Sequence, residues 1–278
     1  GQIFFSLSVG FGVILTYASY LRRNDDVALS GLTAAATNEM TEVVLGGSLG
    51  IPAAFAFVGA AGIEVITRQG IFEIGFITMP LVLEKMAFGQ VFGFLWFFLL
   101  FVAGITSSIS LAQPAIAFME DEFNLTRREA AMLFAVVTFL LCQPIIFFYG
   151  NGVLKEMDFW GTTVCLVVFA TIEVILFGWV FGIDRAWTEL HAGSDIRIPP
   201  VYRFIIKYIT PLMLLTILAS WVWSEWRKHL FLEDIPPADK PIILLTRLGL
   251  LGLFVFLLLM VRIVWRRRSL NTVQESEP

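Results

Sequence analysis

Seven long apolar runs limit what this chain can fold into more than any other feature of its sequence. Each run has at least the roughly 18–20 residues that an α-helix needs to cross the hydrocarbon core of a bilayer. They cover residues 3–21, 29–60, 89–118, 131–149, 159–182, 205–226 and 242–265. Apolar residues make up 58% of the 278 residues and charged residues only 15%, whereas a soluble domain is nearer half apolar and a quarter charged. The sequence therefore predicts an all-α integral membrane protein with about seven transmembrane helices.

The basic residues are divided unevenly between alternate gaps of this pattern, and this predicts an orientation. Loops rich in lysine and arginine favour the cytoplasm, and their position matters more than the net charge of −4. The richer set of gaps holds Arg22, Arg23, Arg127, Arg128, Arg185, Arg197 and the arginines at 266–268. We therefore expect these gaps and the C-terminus to face the cytoplasm, and the first residues to lie outside.

Cysteine, histidine and one short motif offer little support for an enzyme or a transition-metal centre. Cys142 and Cys165 lie in apolar runs, which is typical of unpaired, buried thiols. His191 and His229 lie in polar gaps, and we expect both to be solvated loop residues. The stretch "GGSLG" fits a nucleophile motif around Ser48, but that motif needs a strand–turn–helix elbow and a histidine base. We therefore do not expect an enzyme.

The gaps between the runs differ in character. Residues 61–88 are half apolar with interspersed charges, a pattern typical of short helices that lie over the mouth of a bundle as a lid. Residues 120–131 hold Asn124 and Thr126 just ahead of a charged turn, which predicts a cap and a helix start. The chain after Arg268 is polar, and we expect it to fray.

The first run opens with "GQIFFSLSVGFG", which is unusual at membrane depth. Small residues alternate along it at Ser6, Ser8, Gly10 and Gly12. Glycine is costly in a helix interior and serine diverts backbone hydrogen bonds, so the pattern favours a break in the helix. A break is tolerable in a membrane only where the freed peptide groups line a cavity and find a partner. A close contact between regular helices through small side chains would explain the same pattern, so both interpretations stay open.

A second cluster places polar side chains in the run 29–60. Asn38 and Glu42 lie four residues apart and therefore on one helix face. An amide oxygen with a carboxylate one turn away suits a hard cation. A plain interhelical hydrogen bond would explain the pair equally well.

The third cluster lies in "AGITSSISLAQP". Thr106, Ser107 and Ser110 occupy adjoining helix positions, with Ala103 one turn earlier. Hydroxyls beside a backbone carbonyl could form an oxygen cage for a small cation. The alternative is that these hydroxyls bond back to carbonyls of their own helix. Because the three clusters offer uncharged oxygen and neither histidine nor cysteine, they favour Na⁺ over a transition metal.

Seven motifs follow one another in a fixed order: "GQIFFSLSVGFG", "TYASY", "LSGLTAAATNE", "GGSLGIPAA", "AGITSSIS", "EMDFWGT" and "YITP". In this order they resemble the neurotransmitter:sodium symporter family, in particular its bacterial LeuT-like amino acid transporters, from residue 1 to about 266. The resemblance implies a LeuT-like inverted-repeat transporter fold in part, with the sixth to twelfth transmembrane helices present and the first five absent. It implies a transporter domain over residues 1–268 and a polar cytoplasmic tail over 269–278.

The resemblance assigns roles to the three clusters. The opening segment would be the sixth helix, unwound in its middle. The substrate-binding positions would be Phe5, Ser8, Phe11, Ser107 and Leu111. The first sodium site would use Ser6, which stands where threonine is common, and Asn38. The second would use the Ala103 carbonyl with the Thr106 and Ser107 hydroxyls.

The resemblance also implies one charge-compensating residue and two gates. Glu42 would supply a fixed negative charge in place of the chloride ion that other relatives bind. Asp158 matches the acidic half of an external gate. Asp121, with Tyr20 and Gln113, resembles a cytoplasmic gate. The basic partners of both gates would belong to the absent helices.

The function that the resemblance implies is sodium-coupled symport of a neutral, preferentially hydrophobic amino acid by alternating access. The protein would be a multi-pass protein of the plasma membrane, the inner membrane of a bacterium, with Na⁺, the amino acid and lipid as its partners. A sensor or regulatory scaffold that binds an amino acid on the same fold without transporting it is the alternative. The sequence names neither the amino acid nor the sodium and proton stoichiometry, and it leaves the oligomeric state open.

Overall fold

The computed structural model describes residues 5–22, 24–48, 74–233 and 235–275, together with residues 52, 55, 56 and 59. Side chains are described as far as residue 266. The described backbone forms helices, turns and loops, and no strand occurs in these ranges. Eight helices are numbered in chain order: α1 Val13–Ala18, α2 Val27–Glu39, α3 Met79–Glu84, α4 Gly89–Phe123, α5 Arg127–Phe147, α6 Val153–Leu190, α7 Val201–Phe231 and α8 Lys240–Glu275.

Several of these helices contain or adjoin π-helical turns, in which the backbone bonds to the fifth residue back. One continues α2 and another leads into α3, while α6 contains two and α7 one. They are Met40–Gly46, Ile74–Thr78, Phe159–Cys165, Leu176–Gly182 and Ile205–Ile209. Such widened turns often occur at functional sites, because they redirect the side chains on one helix face.

Helices α4 to α8 are each long and apolar enough to cross a membrane. They coincide with the last five predicted apolar runs, which confirms those runs as helices. The run 3–21 contains α1 but is interrupted, so it forms no continuous helix of spanning length. The run 29–60 begins as α2, and beyond residue 48 most of it lies outside the described residues. The predicted lid over 61–88 is likewise described only from residue 74 onward.

The start of α5 confirms the predicted cap. The Thr126 hydroxyl accepts a bond from the Glu129 backbone N–H at 3.4 Å, and Glu129 Oε2 accepts from the Thr126 N–H at 2.9 Å. Each side chain therefore satisfies a backbone donor that the first turn leaves without a partner. Ala130, in the same turn, is fully buried against Ala112 and Ile116 of α4.

Helix α6 packs against α7 and has one buried face. Leu166, Val167, Ala170 and Thr171 form this face, and their spacing follows the helical period. On α7, Leu214 is fully buried. At the other end of α6, Val153 packs with Ile243 of α8 in a second small core. Together these contacts fix α6 relative to α7 and α8.

Arg247 of α8 contacts both α6 and α7, and it caps the C-terminal end of α7. Its Nη1 and Nη2 donate to the backbone oxygens of Leu230 and His229, the last carbonyls of α7, which have no partner within the helix. Its Nε forms an ion pair with the buried Glu156 of α6, and its guanidinium lies over the Trp160 ring. Removal of one partner of such a pair would leave a buried charge and cost about 3–5 kcal/mol.

One expectation about a polar residue is wrong. His229 is not a solvated loop residue, because α7 continues five residues past the apolar run that ends at 226. Its ring stacks on Phe159 with centroids 4.0 Å apart and lies beside Trp221. Beyond Arg268 the described backbone is helical as far as Glu275, and fraying of the tail stays a prediction. The two cysteines are free and half-buried.

The chain divides into two compact units, and each is described by itself. The first comprises residues 1–22, 112–190 and 198–278. The second comprises residues 23–111 and 191–197. The opening segment belongs to the first unit, whereas Asn38 and the hydroxyl cluster of α4 belong to the second.

Candidate functional site

The helix of the opening segment is broken in its middle. Residues 5 and 6 are helical, residues 7–12 form turns, and α1 begins at Val13. Three residues of the break, Ser8, Gly10 and Gly12, have left-handed φ angles of 55°, 83° and 73°. This confirms the predicted interruption: a right-handed helix cannot pass through such angles, and several peptide groups lose their helical partners.

Gly10 is the point where the break meets α6. A Cβ atom at this position would lie 2.8 Å from the Leu166 backbone oxygen and 3.1 Å from the Ala170 backbone nitrogen, so only glycine fits. The Gly10 N–H donates to Glu173 Oε2 at 3.1 Å. The interpretation as a broken helix therefore holds, and the broken segment is in addition in close contact with a neighbouring helix.

Glu173 was missed by the sequence reasoning, although a signal was present. It is an ionisable residue inside the run 159–182, and such a residue at membrane depth is a candidate functional residue by default. Its partner Gly10 lies 163 positions away, so no local spacing pointed to the pair. A charged acceptor makes a stronger bond to a backbone N–H than a neutral one does. Glu173 therefore holds a peptide group that the break has freed.

Aromatic rings lie on both sides of the break. Phe5 and Phe11 contact each other edge to face, with ring centroids 6.0 Å apart. Phe5 is about half exposed, and Ser8 between them is half-buried. Ser6, at the end of the helical turn that precedes the break, is also half-buried. The break thus presents two apolar rings beside free peptide groups.

Asn38 and Glu42 interact directly with each other. Asn38 Nδ2 donates to Glu42 Oε2 at 3.2 Å, across the junction between α2 and the π-helical turn Met40–Gly46. A carboxylate only accepts, so the amide must turn its nitrogen towards Glu42 and its oxygen away. The bond is therefore formed within one helix rather than between helices, and it leaves Asn38 Oδ1 as an oriented acceptor.

On α4 the Thr106 hydroxyl bonds back to its own helix. It lies 3.0 Å from the Val102 carbonyl oxygen and 3.0 Å from that of Ala103. This is the back-bonded arrangement that was the alternative to a cation cage. It also places the Ala103 oxygen and the Thr106 hydroxyl oxygen side by side, with lone pairs left on both. Ser107 is the next residue, and Leu111 lies one turn further on the same helix.

Two of the four predicted gating residues, Asp158 and Gln113, form side-chain hydrogen bonds. Asp158 precedes the π-helical turn Phe159–Cys165, and its Oδ1 accepts from the Thr162 hydroxyl at 2.5 Å. Gln113 of α4 accepts a long bond of 3.4 Å from Arg127 of α5.

The other two gating residues are exposed. Asp121 lies near the end of α4, and Tyr20 follows α1 with its ring 6.5 Å from that of Tyr17. Arg127, which donates to Gln113, is a basic neighbour of that residue, and the sequence did not indicate this contact.

The described residues offer no transition-metal centre, since no three histidine, cysteine, aspartate or glutamate side chains among them group to hold an ion. Ser48 lies in a helical turn, where its hydroxyl donates to the Leu45 carbonyl oxygen.

Long apolar helices define a multi-pass membrane protein, and an interrupted segment within one of its apolar runs has peptide groups without helical partners. The chain belongs to the sodium:neurotransmitter symporter family, whose model matches residues 1–262. That family consists of sodium-dependent transporters, and its fold is LeuT-like, here present in part.

Three relatives illustrate the similarity. An uncharacterized sodium-dependent transporter of Methanocaldococcus jannaschii is 29% identical over 78% of this chain and 44% of its own length. Sodium-dependent nutrient amino acid transporter 1 of Drosophila grimshawi is 26% identical, and that of Drosophila virilis 27%, each over 78% of this chain and 34% of the relative. The chain thus spans less than half the length of the curated relatives that it matches.

Proposed function

We propose that the protein carrying this chain is a sodium-coupled symporter of a neutral, preferentially hydrophobic amino acid in the plasma membrane. The observation that carries the proposal is the break at residues 7–12, where an apolar segment frees peptide groups and Glu173 bonds one of them. Free peptide groups at membrane depth are tolerated where they face a cavity or a ligand. Membership in a family of sodium-dependent transporters supports sodium-dependent transport as the function of this site.

The break supplies suitable chemistry for an amino acid. The Ser8 N–H donates to the Phe5 backbone oxygen at 3.1 Å, so other peptide N–H groups and carbonyls that the break frees would bind the carboxylate and ammonium groups of the substrate. Phe5 and Phe11, in edge-to-face contact, would surround an apolar side chain and disfavour a charged one. Ser107 and Leu111 of α4 would complete the pocket. The aromatic pair supports the preference for hydrophobic substrates.

Sodium would be a co-transported substrate at two oxygen sites. The first would use Ser6 and the oriented amide oxygen of Asn38, with Glu42 supplying the negative charge one turn away. The second would use the adjoining oxygens of Ala103 and Thr106, together with Ser107. Neutral oxygens beside a single carboxylate match the hard-ligand preference of Na⁺.

Transport would proceed by alternating access, with sodium binding organising the substrate site before the outer gate closes. Asp158 would close the external side. Asp121, with Tyr20 and Gln113, would close the cytoplasmic side, and Arg127 is a basic neighbour of this group. Each gate is then a polar contact that is made in one state and lost in the other. No enzymatic step is part of the proposal.

The proposal is tested by amino acid uptake into liposomes that contain the full-length protein carrying this chain. We expect uptake of leucine to fall about tenfold or more when choline replaces Na⁺, and neutral amino acids to compete better than lysine or glutamate. Uptake that is unchanged in choline would contradict the coupling. Saturable binding without any flux would favour the sensor instead.

The second sodium site has a sharper test in the double variant Thr106→Val with Ser107→Ala. Loss of two oxygens should raise the Na⁺ concentration for half-maximal uptake about thirtyfold, because each lost polar contact is worth about 1 kcal/mol. Ser108→Ala is the matched control, since that hydroxyl bonds to Gly104 on another face of α4. A sodium midpoint that is equal in both variants would show that the site lies elsewhere.

A further inference from the structure

Cations lie on aromatic rings where α6 ends and α7 begins. Lys207 Nζ is 5.5 Å from the ring centroid of Trp179 and 5.6 Å from that of Tyr208. The Arg203 guanidinium carbon is 5.0 Å from the Trp187 centroid. Trp179, Trp187, Arg203, Lys207 and Tyr208 are called the cation–aromatic patch below.

The patch has a defined geometry because the two helices are bonded together at this point. Trp179 Nε1 donates to the Lys207 backbone oxygen at 3.0 Å, and Arg203 Nη1 forms an ion pair with Asp184 at 3.3 Å. The two helices are close at Gly178, where a Cβ atom would lie 3.6 Å from Lys207 Cα, an ordinary van der Waals contact. Arg203 and Lys207 are one turn apart on α7, with Cβ atoms about 6 Å apart, so one small anion could contact both.

The positive charge of the patch is only partly compensated by the protein. Within the described parts of the chain, no carboxylate lies within ion-pair distance of Lys207, whose contacts are the two rings. Arg203 forms an ion pair with Asp184, whose side chain is 87% exposed. The Nε atom of Arg203 has no hydrogen-bond partner in the described parts of the chain. Two cations against one exposed carboxylate attract an anion, and a ring face strengthens a cation's position without neutralising it.

The patch also lies at the depth of a lipid headgroup. Trp179 belongs to the last turn of the apolar run 159–182, and Lys207 to the first turn of the run 205–226. Tryptophan and tyrosine prefer this interfacial level, and long cationic side chains reach out from it to the headgroups. On the apolar side of the patch the helices expose Val180 and Leu212, both about two-thirds exposed or more, which an acyl chain could cover.

We propose that the cation–aromatic patch binds the headgroup of an anionic phospholipid. Its phosphate lies between Lys207 and Arg203, and its acyl chains run along the exposed apolar faces of α6 and α7. The predicted orientation places this lipid in the cytoplasmic leaflet. The site is separate from the break at residues 7–12, and its existence does not depend on sodium coupling or on the transported substrate.

The test is native mass spectrometry of the detergent-solubilised protein carrying this chain, mixed with phosphatidylglycerol or phosphatidylcholine of identical acyl chains. The wild-type protein should retain phosphatidylglycerol preferentially. Lys207→Gln should weaken that retention about fivefold, since a basic residue at an anionic surface contributes on the order of a fivefold change in affinity. Lys207→Arg should keep most of it. Arg227→Gln, which removes a charge near the other end of α7, is the control and should change nothing.

Each remaining outcome would overturn the proposal. Equal retention of the two lipids by the wild-type protein would show that the patch lies at the membrane interface without preferring an anionic headgroup. Equal losses in Lys207→Gln and Arg227→Gln would show a general effect of charge. Displacement of the lipid by inorganic phosphate at matched concentration would show a phosphate site that does not recognise lipid. The wild-type comparison decides the question even if Lys207→Gln fails to fold.

Discussion

At the scale of single residues, Glu173 links the break to the rest of the protein. It places a carboxylate in an apolar helix, where insertion of an acidic side chain costs about 2.5–3.5 kcal/mol. Its bond to the Gly10 N–H offsets part of that cost and satisfies a peptide donor that the break has freed. The acidic side chain therefore lies where the backbone of the neighbouring segment needs an acceptor.

Substitution of Glu173 should change substrate binding more than it changes the fold. We expect Glu173→Ala to raise the substrate concentration for half-maximal uptake about tenfold, because a donor left without a partner costs about 1–3 kcal/mol. Glu173→Gln keeps an acceptor oxygen and should stay within about threefold of the wild type. Uptake kinetics in liposomes measure both. Equal effects of the two substitutions would contradict a role in accepting the Gly10 bond.

Gly10 and Gly12 form a matched pair for testing the contact with α6. Both have left-handed φ angles, so alanine at either position should cost about 1–2 kcal/mol from the backbone alone. Only at Gly10 would the added Cβ meet the backbone of α6, at 2.8 Å, whereas at Gly12 the nearest atom is 3.7 Å away, on Pro114. Gly10→Ala should therefore cost a further 1–3 kcal/mol or so, measured as free energy of unfolding in detergent. Similar losses in the two variants would show that α6 does not approach Gly10 so closely.

The role of a residue could be predicted from the sequence where the evidence for it lies in the neighbouring residues. The alternation of serine and glycine favoured the break, because each residue type alone disfavours a helix interior, but it left open a close contact between regular helices. The Asn38–Glu42 pair was predicted to share a face, but its bond within one helix was not. Glu173 and Arg127 were missed because their partners lie on other helices. Whether the predicted site residues bind sodium and substrate remains a prediction.

At the scale of elements, helix starts were easier to predict than helix ends. Thr126 and Glu129 carry a cap within four residues, and the structure has it. The end of α7 depends on a tertiary contact instead. Arg247 donates to a backbone oxygen in the last turn of α7. His229 therefore lies in this helix rather than in the predicted loop, and its ring stacks on Phe159. The long helices were predictable because membrane-spanning length is a property of composition alone.

The N-terminal cap of α2 also holds a distant loop. Asp26 Oδ1 accepts from the Leu29 N–H at 2.8 Å, and its Oδ2 accepts from the Asp195 N–H at 2.7 Å. These two backbone bonds lower the pKa of Asp26 below its ordinary value. Gly193 lies so close to Asn24 that a Cβ would be 2.6 Å from the Asn24 backbone oxygen. The loop 191–197 is therefore anchored on the turn before α2.

This anchor should be sensitive to acid. Because the folded-state pKa of Asp26 is lowered, its contribution is present at neutral pH and is lost as the pH falls below about 4 and through the lowered pKa. We expect amide exchange in the loop 191–197, corrected for its intrinsic pH dependence, to rise over that range. Asp26→Asn can still cap α2 and does not titrate, so its loop should show no such rise. The same rise in Asp26→Asn would assign the effect to another group.

At the scale of the whole molecule, the break brings polar groups into an apolar segment. Glycine and serine interrupt a helix, and a carboxylate from a neighbouring helix holds one freed peptide group. Under the proposal, the other freed groups bind a ligand, and the chain belongs to a family of sodium-dependent transporters. The chain covers less than half of its curated relatives, so the test belongs in the full-length protein.

The most direct measurement is hydrogen–deuterium exchange of the backbone amides at residues 7–12 in that protein. The amides of the break should exchange more slowly when Na⁺ and a neutral amino acid are both present, and much less so with either one alone or with choline in place of Na⁺. Exchange at residues 7–12 that stays unchanged while the protein demonstrably binds or takes up the amino acid would show that the interrupted helix is not the binding site.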